Sequence, residues 1–158
     1  MRQSLTLALL QARETAMLFF RPILHKYNLT EQQWRIMRVL FNLRSVDFDE
    51  LSKKTCILKP SLTGILNRME RDELIFKLKP LNDQRKLFIA LTEKGQFISK
   101  HVHYEIELGY KKIESSFSLE KLNALQALIE EFNALSSSTE LLELNTQPIA
   151  EKQNSSTS

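Results

Sequence analysis

The apolar positions along the chain change their period twice, and those changes divide it. Leu5, Leu9, Ala12, Ala16, Phe19 and Ile23 recur every three or four residues, which predicts one helical face from Leu5 to about Lys26. Pro22 lies inside that stretch and is expected to kink or break the helix near its end. After a break at residues 28–30, Thr30 caps a second helix, with Gln33 completing a capping box. This helix is expected to bury Trp34, Met37 and Phe41 and to end near residues 42–44. Asp47 to Lys54 reads as a short helix burying Phe48 and Leu51, with room for a brief extended stretch before it. Residues 55–59 make a turn. Pro60 then opens another helix at its first position, where a missing N–H costs nothing. That helix runs to about Glu73 on a buried face of Leu62, Ile65, Leu66 and Met69.

From there the period becomes two. Phe76 and Leu78 alternate with Lys77 and Lys79, and Leu87, Ile89 and Leu91 alternate with Lys86, Phe88 and Ala90. A polar loop over residues 80–85 joins the two runs, so they predict a two-stranded hairpin with a basic tip. The helical period returns after Thr92, which caps a long helix with a stripe of Ile98, Val102, Ile106, Gly109, Ile113 and Phe117. Ser118 starts a last helix carrying Leu122, Leu125, Ile129 and Phe132. Beyond Leu135 the chain turns Ser/Thr/Asn-rich, and 137–158 is expected to be a disordered tail.

This order predicts a mainly α fold with a small β-hairpin wing. A winged helix-turn-helix at 29–95 sits between helical segments 1–28 and 96–136. The apolar stripes of those segments exceed what one small domain can cover, so they should meet a second copy in a homodimer. With three glycines and four prolines the composition agrees with a helical protein.

Charge adds the first hint of chemistry. Residues 1–91 hold 16 Lys/Arg against 9 Asp/Glu, whereas 92–158 hold 6 against 10. A basic segment joined to an acidic helical remainder suggests a polyanion-binding surface on a separate dimerising body. In a helix-turn-helix the second helix enters the major groove, where base edges are distinguishable. With its apolar face buried, the helix after Pro60 would present Ser61, Thr63, Gly64, Asn67, Arg68 and Arg71, preceded by Lys59. Hydroxyl, amide and guanidinium groups can read bases or hold phosphates. A mid-helix glycine costs about 1 kcal/mol against Ala, and close backbone approach to DNA is a reason to tolerate Gly64. On the hairpin, Lys77 is expected to hold phosphate and Arg85 to enter a minor groove, with Asp83 orienting its guanidinium or tying the loop.

Other chemistries find little support. Glycines at 64, 95 and 109 alone cannot build a dinucleotide or phosphate-binding loop, so no catalytic residue and no cofactor is expected. His101 and His103 stand two apart on a helix and point to different sides, so no metal site is expected. A lone Cys56 excludes an internal disulfide; it reads as core, with oxidation sensing as the alternative. Arg2 followed by Leu5, Leu7, Leu9 and Leu10 has the outline of a signal peptide, but the run ends at Gln11 with no small-residue cleavage site. No stretch approaches the roughly 18 apolar residues of a membrane span. A cytoplasmic protein without membrane partners is expected, on the nucleoid when bound to an operator. A helical protein-interaction module that never touches DNA is the rival of a different class.

Three stretches resemble the MarR family of bacterial transcriptional regulators: LTEQQWRI at 29–36, LKPSLTGILNRMERD at 58–72 and NDQRKLFIALTEKG at 82–95. The last is similar to the family's Asp-x-Arg…Leu-Thr-x-x-Gly wing signature, matched by Asp83, Arg85, Leu91, Thr92 and Gly95. The resemblance implies a triangular dimer on a palindromic operator in double-stranded DNA, recognition helices in successive major grooves and wings in minor grooves. A narrower likeness is to members that repress operons for degrading hydroxylated phenylacetates. LQARE at 10–14, FRPI at 20–23 and CILKPSLTG at 56–64 carry it. It implies release by a small aromatic carboxylate effector. Arg13, Arg21 and Arg38 could pair with that carboxylate, and Trp34 could wall its ring. One departure is Glu73, where relatives usually have Gly.

Overall fold

A computed structural model describes residues 4–137. The chain runs α1 (Leu5–Met17), α2 (Arg21–Lys26), α3 (Glu31–Leu43), β1 (Ser45–Asp47), α4 (Phe48–Thr55), α5 (Lys59–Arg71), β2 (Ile75–Leu78), β3 (Phe88–Leu91), α6 (Glu93–Phe117) and α7 (Leu119–Ala134). A short 3-10 turn over Leu135–Ser137 follows. The tail expected at 137–158 lies, from residue 138 on, outside the described residues. One compact unit extends to Ile113, and a second begins at Glu114 and holds α7.

The helix expected from Leu5 to Lys26 is two helices. Leu18, Phe19 and Phe20 donate to the carbonyls three residues back, at 3.1–3.3 Å, so the α-helical ladder tightens and stops. Pro22 then falls in the first turn of α2, where no donor is required. Capping of α3 follows the sequence: Thr30 Oγ1 accepts from the Gln33 N–H at 3.1 Å, and the Gln33 side chain accepts from the Thr30 N–H at 3.0 Å.

The core of the first unit is built on Leu24, Ile36, Met37, Leu40, Leu51, Leu62, Leu66, Met69, Ile75, Ile89 and Val102, all fully buried. Phe41, expected inside, is exposed, and Phe48 is only half-buried. Phe41 instead lies against the His103 ring, centroids 6.1 Å apart. Helix α5 begins one residue before Pro60 and ends at Arg71, and its buried face is the four residues expected. Cys56 is exposed rather than core: it caps α4 in the left-handed conformation, φ 53° and ψ 38°, which turns its side chain outward while Ile57 enters the core.

The hairpin belongs to a three-stranded antiparallel sheet of order β1-β3-β2. Val46 pairs with Ile89 across β1 and β3, and Ile75 pairs with Leu91 across β2 and β3. The alternation in β2 has the opposite phase to that expected. Ile75 is buried and Lys77 half-buried, whereas Phe76 and Leu78 face outward. Of the α6 stripe, Val102, Ile106 and Gly109 are buried, and Phe117 is exposed.

The step from α5 into β2 is a Schellman-type stop. The Leu74 N–H donates to Met69 O at 2.9 Å and the Glu73 N–H to Glu70 O at 3.0 Å, with Glu73 at φ 60°. A non-glycine residue in that conformation costs about 1–2 kcal/mol. Glu73→Gly is therefore expected to stabilise the protein by about 1 kcal/mol, since glycine's larger unfolded-state entropy offsets part of the relief. A thermal melt should move up by about 2–4 °C.

Candidate nucleic-acid interface and effector cavity

Helix α5 presents a polar face because its apolar face is consumed by the core. Ser61, Thr63, Asn67, Arg68 and Arg71 are exposed, and Gly64 is half-buried. Lys59 pairs with Asp49 at 2.7 Å, which ties the start of α5 to α4. Thr63 Oγ1 donates to the Lys59 carbonyl at 3.1 Å. Among the described residues no packing demands a glycine at 64: a methyl placed there would meet only an Arg68 guanidinium nitrogen, at 3.6 Å. Arg71 is turned aside onto Asp72, 2.9 Å away.

Lys77 is not the free phosphate ligand its place on the hairpin suggested. Its Nζ donates to Asn67 Oδ1 and to Glu70 Oε2, each at 2.7 Å, and so straps β2 to α5. Asn67 Oδ1 thereby gives one of its two lone pairs to Lys77, which fixes the orientation of the amide. The bidentate pairing of an Asn with adenine needs both the oxygen and the nitrogen. In this arrangement Asn67 keeps its amide N–H groups and one oxygen lone pair, and any base it meets must fit the orientation that Lys77 imposes.

The wing tip is organised by Asp83. Its Oδ1 accepts from the Arg85 N–H at 3.1 Å and lies 3.5 Å from Arg85 Nε. The Arg85 side chain is 95% exposed, so it projects from the turn with one edge steadied. A cleft of about 620 Å³ between wing and helices carries Asp47, Asp49 and Glu50 beside Lys53, Arg85 and Lys86. Its acidic members disfavour phosphate inside it. The tip and the α5 face present exposed cationic side chains, Arg85 on the first and Arg68 and Arg71 on the second.

A second feature lies on the far side of α3. Met17, Phe20, Trp34, Arg35, Arg38, Ile106 and Tyr110 line a cavity of about 170 Å³. Drug-sized pockets start near 300 Å³, so this one suits a single-ring molecule. Phe20 and Tyr110 meet with ring centroids 5.0 Å apart. The Arg38 guanidinium has no ion pair or hydrogen bond among the described residues. Trp34 and Arg38, both expected at such a site, are there. Arg13 and Arg21 are not. Arg21 pairs with Glu14 at 2.6 Å and Glu31 at 2.7 Å, while Arg13 pairs with Glu14 at 2.8 Å and also with Glu31. Four charges thus close a network joining α1, α2 and α3. Burial pushes the Glu31 carboxyl up, but its bonds to Arg21 and Arg13 outweigh that and hold it below the usual carboxylate range. The network's contribution is fully present above that range and is lost as pH falls from it toward the lower, folded-state value.

Arg35 and Tyr110 were not anticipated at the cavity. Spacing could have found the first: with Trp34 and Arg38 on one face of α3, Arg35 lies three residues before Arg38 and shares that side. The two histidines diverge as expected: His101 Nδ1 meets the Phe97 carbonyl at 2.8 Å, and His103 Nε2 lies 4.0 Å from Glu107.

Residues 29–87 match the family model described as the MarR family. The chain is 56% identical to the homoprotocatechuate degradative operon repressor of Escherichia coli, over 87% of this chain and 93% of that one. The chain belongs to the MarR family. Two solved structures agree over nearly the whole fold. The transcriptional regulator PA4135 is 45% identical, with a TM-score of 0.81, and the match covers 84% of this chain and 97% of that one. NadR in complex with 4-hydroxyphenylacetate is 44% identical, with a TM-score of 0.74, covering 83% of this chain and 93% of that one. This MarR-family chain is a transcriptional regulator rather than an enzyme, on a winged helix-turn-helix fold. The family's wing signature now has a physical reading. Asp83 builds the tip, and Thr92 Oγ1 both donates to the Glu73 carbonyl at 2.6 Å and accepts from the Gly95 N–H at 3.0 Å.

Proposed function

We propose that this regulator is a homodimeric repressor of an operon for degrading homoprotocatechuate or related hydroxyphenylacetates, acting in the cytoplasm on a palindromic operator. A hydroxyphenylacetate bound beside Trp34 and Arg38 releases it. One observation carries the effector half: a guanidinium unpaired among the described residues stands at an aromatic-walled cavity of single-ring size, in a chain 56% identical to the degradative operon repressor. A carboxylate fits Arg38 and an aryl ring fits Trp34, Phe20 and Tyr110. No described helix is long and apolar enough to cross a membrane.

Dimerisation is supported by apolar side chains that each unit leaves uncovered. Leu5, Leu7, Leu9 and Leu10 are exposed on α1, as are Leu119, Leu125, Leu128, Ile129 and Phe132 on α7. Patches of this kind mark interaction surfaces. Sedimentation is expected to show a dimer at micromolar concentration, and a folded monomer there would remove this part of the reading.

Operator binding is expected to weaken steeply with salt and to survive excess non-specific DNA. Saturating 4-hydroxyphenylacetate should then lower operator affinity. Unchanged affinity at millimolar ligand would defeat the effector assignment and leave DNA binding standing. Gly64→Ala separates folding from recognition. It is expected to stabilise α5 by about 0.5–1 kcal/mol, since nothing among the described residues resists the methyl, and yet to weaken operator binding. A variant both more stable and equally tight on DNA would show that Gly64 does not face the duplex closely.

A further inference from the structure

We propose that Arg35 carries occupancy of the cavity to the helix-turn-helix, an inference that rests on the effector reading above. Arg35 reaches both places. Its Nη1 donates at 2.8 Å to the carbonyl of Thr55, the last residue of α4. That carbonyl is one of the final four of the helix, which have no partner within it, and a cation there also suits the helix dipole. Cys56 follows in the left-handed conformation and α5 starts at Lys59, so the bond sits where the turn from α4 into α5 begins. Arg35 also lines the cavity, and the Nε of the same guanidinium is buried with no hydrogen-bond partner among the described residues.

A buried, unpartnered N–H is a costly thing to keep, and a carboxylate in the cavity would satisfy it. The guanidinium is a rigid plane with its donors in fixed directions. A carboxylate that accepts from Nε therefore re-aims the plane to which Nη1 belongs, and the Thr55 bond must lengthen or tilt. Pairing also draws positive charge away from the end of α4. Both effects loosen the α4–α5 turn and unfix the direction of α5, while Arg38 and Trp34 hold the ligand in place.

The test uses the full-length dimer, and Trp34 supplies an internal probe. It is the chain's single tryptophan and lines the cavity, so its fluorescence reports occupancy without DNA. Wild type, Arg35→Gln and Arg35→Lys are titrated with 4-hydroxyphenylacetate. Their affinities for an operator selected from random duplexes by the wild type are measured with and without saturating ligand. Wild type should lose about tenfold or more in operator affinity, within the usual range of allosteric coupling. Both variants should still show a saturable Trp34 titration. Arg35→Lys, which keeps a charged donor for Thr55, should bind the operator without ligand within about threefold of wild type, whereas Arg35→Gln, which loses it, should already bind about threefold or more weaker. Saturating ligand should shift their operator affinity less than about twofold, because no Nε–H remains to be pulled. A folded variant that keeps the wild-type shift overturns the proposal. So does a folded Arg35→Gln protein that binds the operator without ligand as tightly as wild type, since the Thr55 bond would then not set the direction of α5. If Arg35→Gln does not fold, Arg35→Lys, which keeps the charge and a donor for Thr55, decides alone. Wild type that responds at neither Trp34 nor the operator defeats the effector reading, and this inference with it; a responsive wild type with equally responsive variants defeats Arg35 only.

Discussion

Gly95→Ala is expected to be the most damaging single-methyl change in the described chain, costing about 3 kcal/mol or more and depressing the yield of folded protein. A Cβ at 95 would stand 2.1 Å from the Leu74 carbonyl oxygen and 3.1 Å from its carbon. Those are backbone atoms and cannot swing aside. Leu74 O is fixed from the other side because it accepts from the Thr92 N–H at 3.1 Å. The first turn of α6 therefore lies directly on the start of β2, and the methyl forces the two apart. Overpacking in a core usually costs 1–3 kcal/mol, and a clash with immovable backbone falls at or beyond the top of that range. The contrast with Gly64→Ala is the control, because the same methyl there meets open space and one flexible guanidinium. Chemical denaturation of the two variants beside wild type checks the pair. A Gly95→Ala protein within about 1 kcal/mol of wild type would show that the contact can relax.

How far the chain could be read in advance depended on whether its signals were local. The face of α5 came through whole, because Leu62, Ile65, Leu66 and Met69 repeat over a full helix and have no rival partner. The Thr30–Gln33 cap and the Asp83–Arg85 tie are also contacts between near neighbours, and both formed. What failed was decided by distant chain. β1 is three residues long, too short to show a period, and exists because Val46 finds Ile89. In β2 the inward residue, Ile75, precedes the alternation of Phe76 and Leu78 with the lysines, and those two suggest burial only by their chemistry. Arg13 and Arg21 have the right chemistry for a carboxylate, and the carboxylates they hold are Glu14 and Glu31. Sequence lists possible partners for an arginine, and only the fold selects among them. Tyr110 joined the cavity the same way, brought from α6 against Phe20.

Arg85→Ala is expected to weaken operator binding by about 1–3 kcal/mol, or roughly 5- to 150-fold, with no measurable loss of stability. Stability should hold because the side chain is 95% exposed and its ion pair is with Asp83, on the same exposed tip. The contact surviving in the variant is the stronger of the two: Asp83 Oδ1 accepts from the backbone N–H of residue 85, which alanine retains. The turn therefore keeps its shape while the guanidinium is lost, and affinity alone should move. If Arg85 enters a narrow minor groove, two further signs follow. The slope of log affinity against log salt should fall by about 1, for one released counterion fewer. Discrimination should also weaken most between operators whose wing sites differ in A·T content, because that groove's width and potential depend on sequence. Asp83→Ala makes the complementary measurement, as it keeps the guanidinium and removes what steadies it. Its loss should be smaller than that of Arg85→Ala, and the double variant should resemble Arg85→Ala alone, because Asp83 acts through Arg85. Additive losses would mean that Asp83 shapes the wing for some other contact. An Arg85→Ala protein that binds the operator as tightly as wild type, with an unchanged salt slope, would take the wing out of the interface.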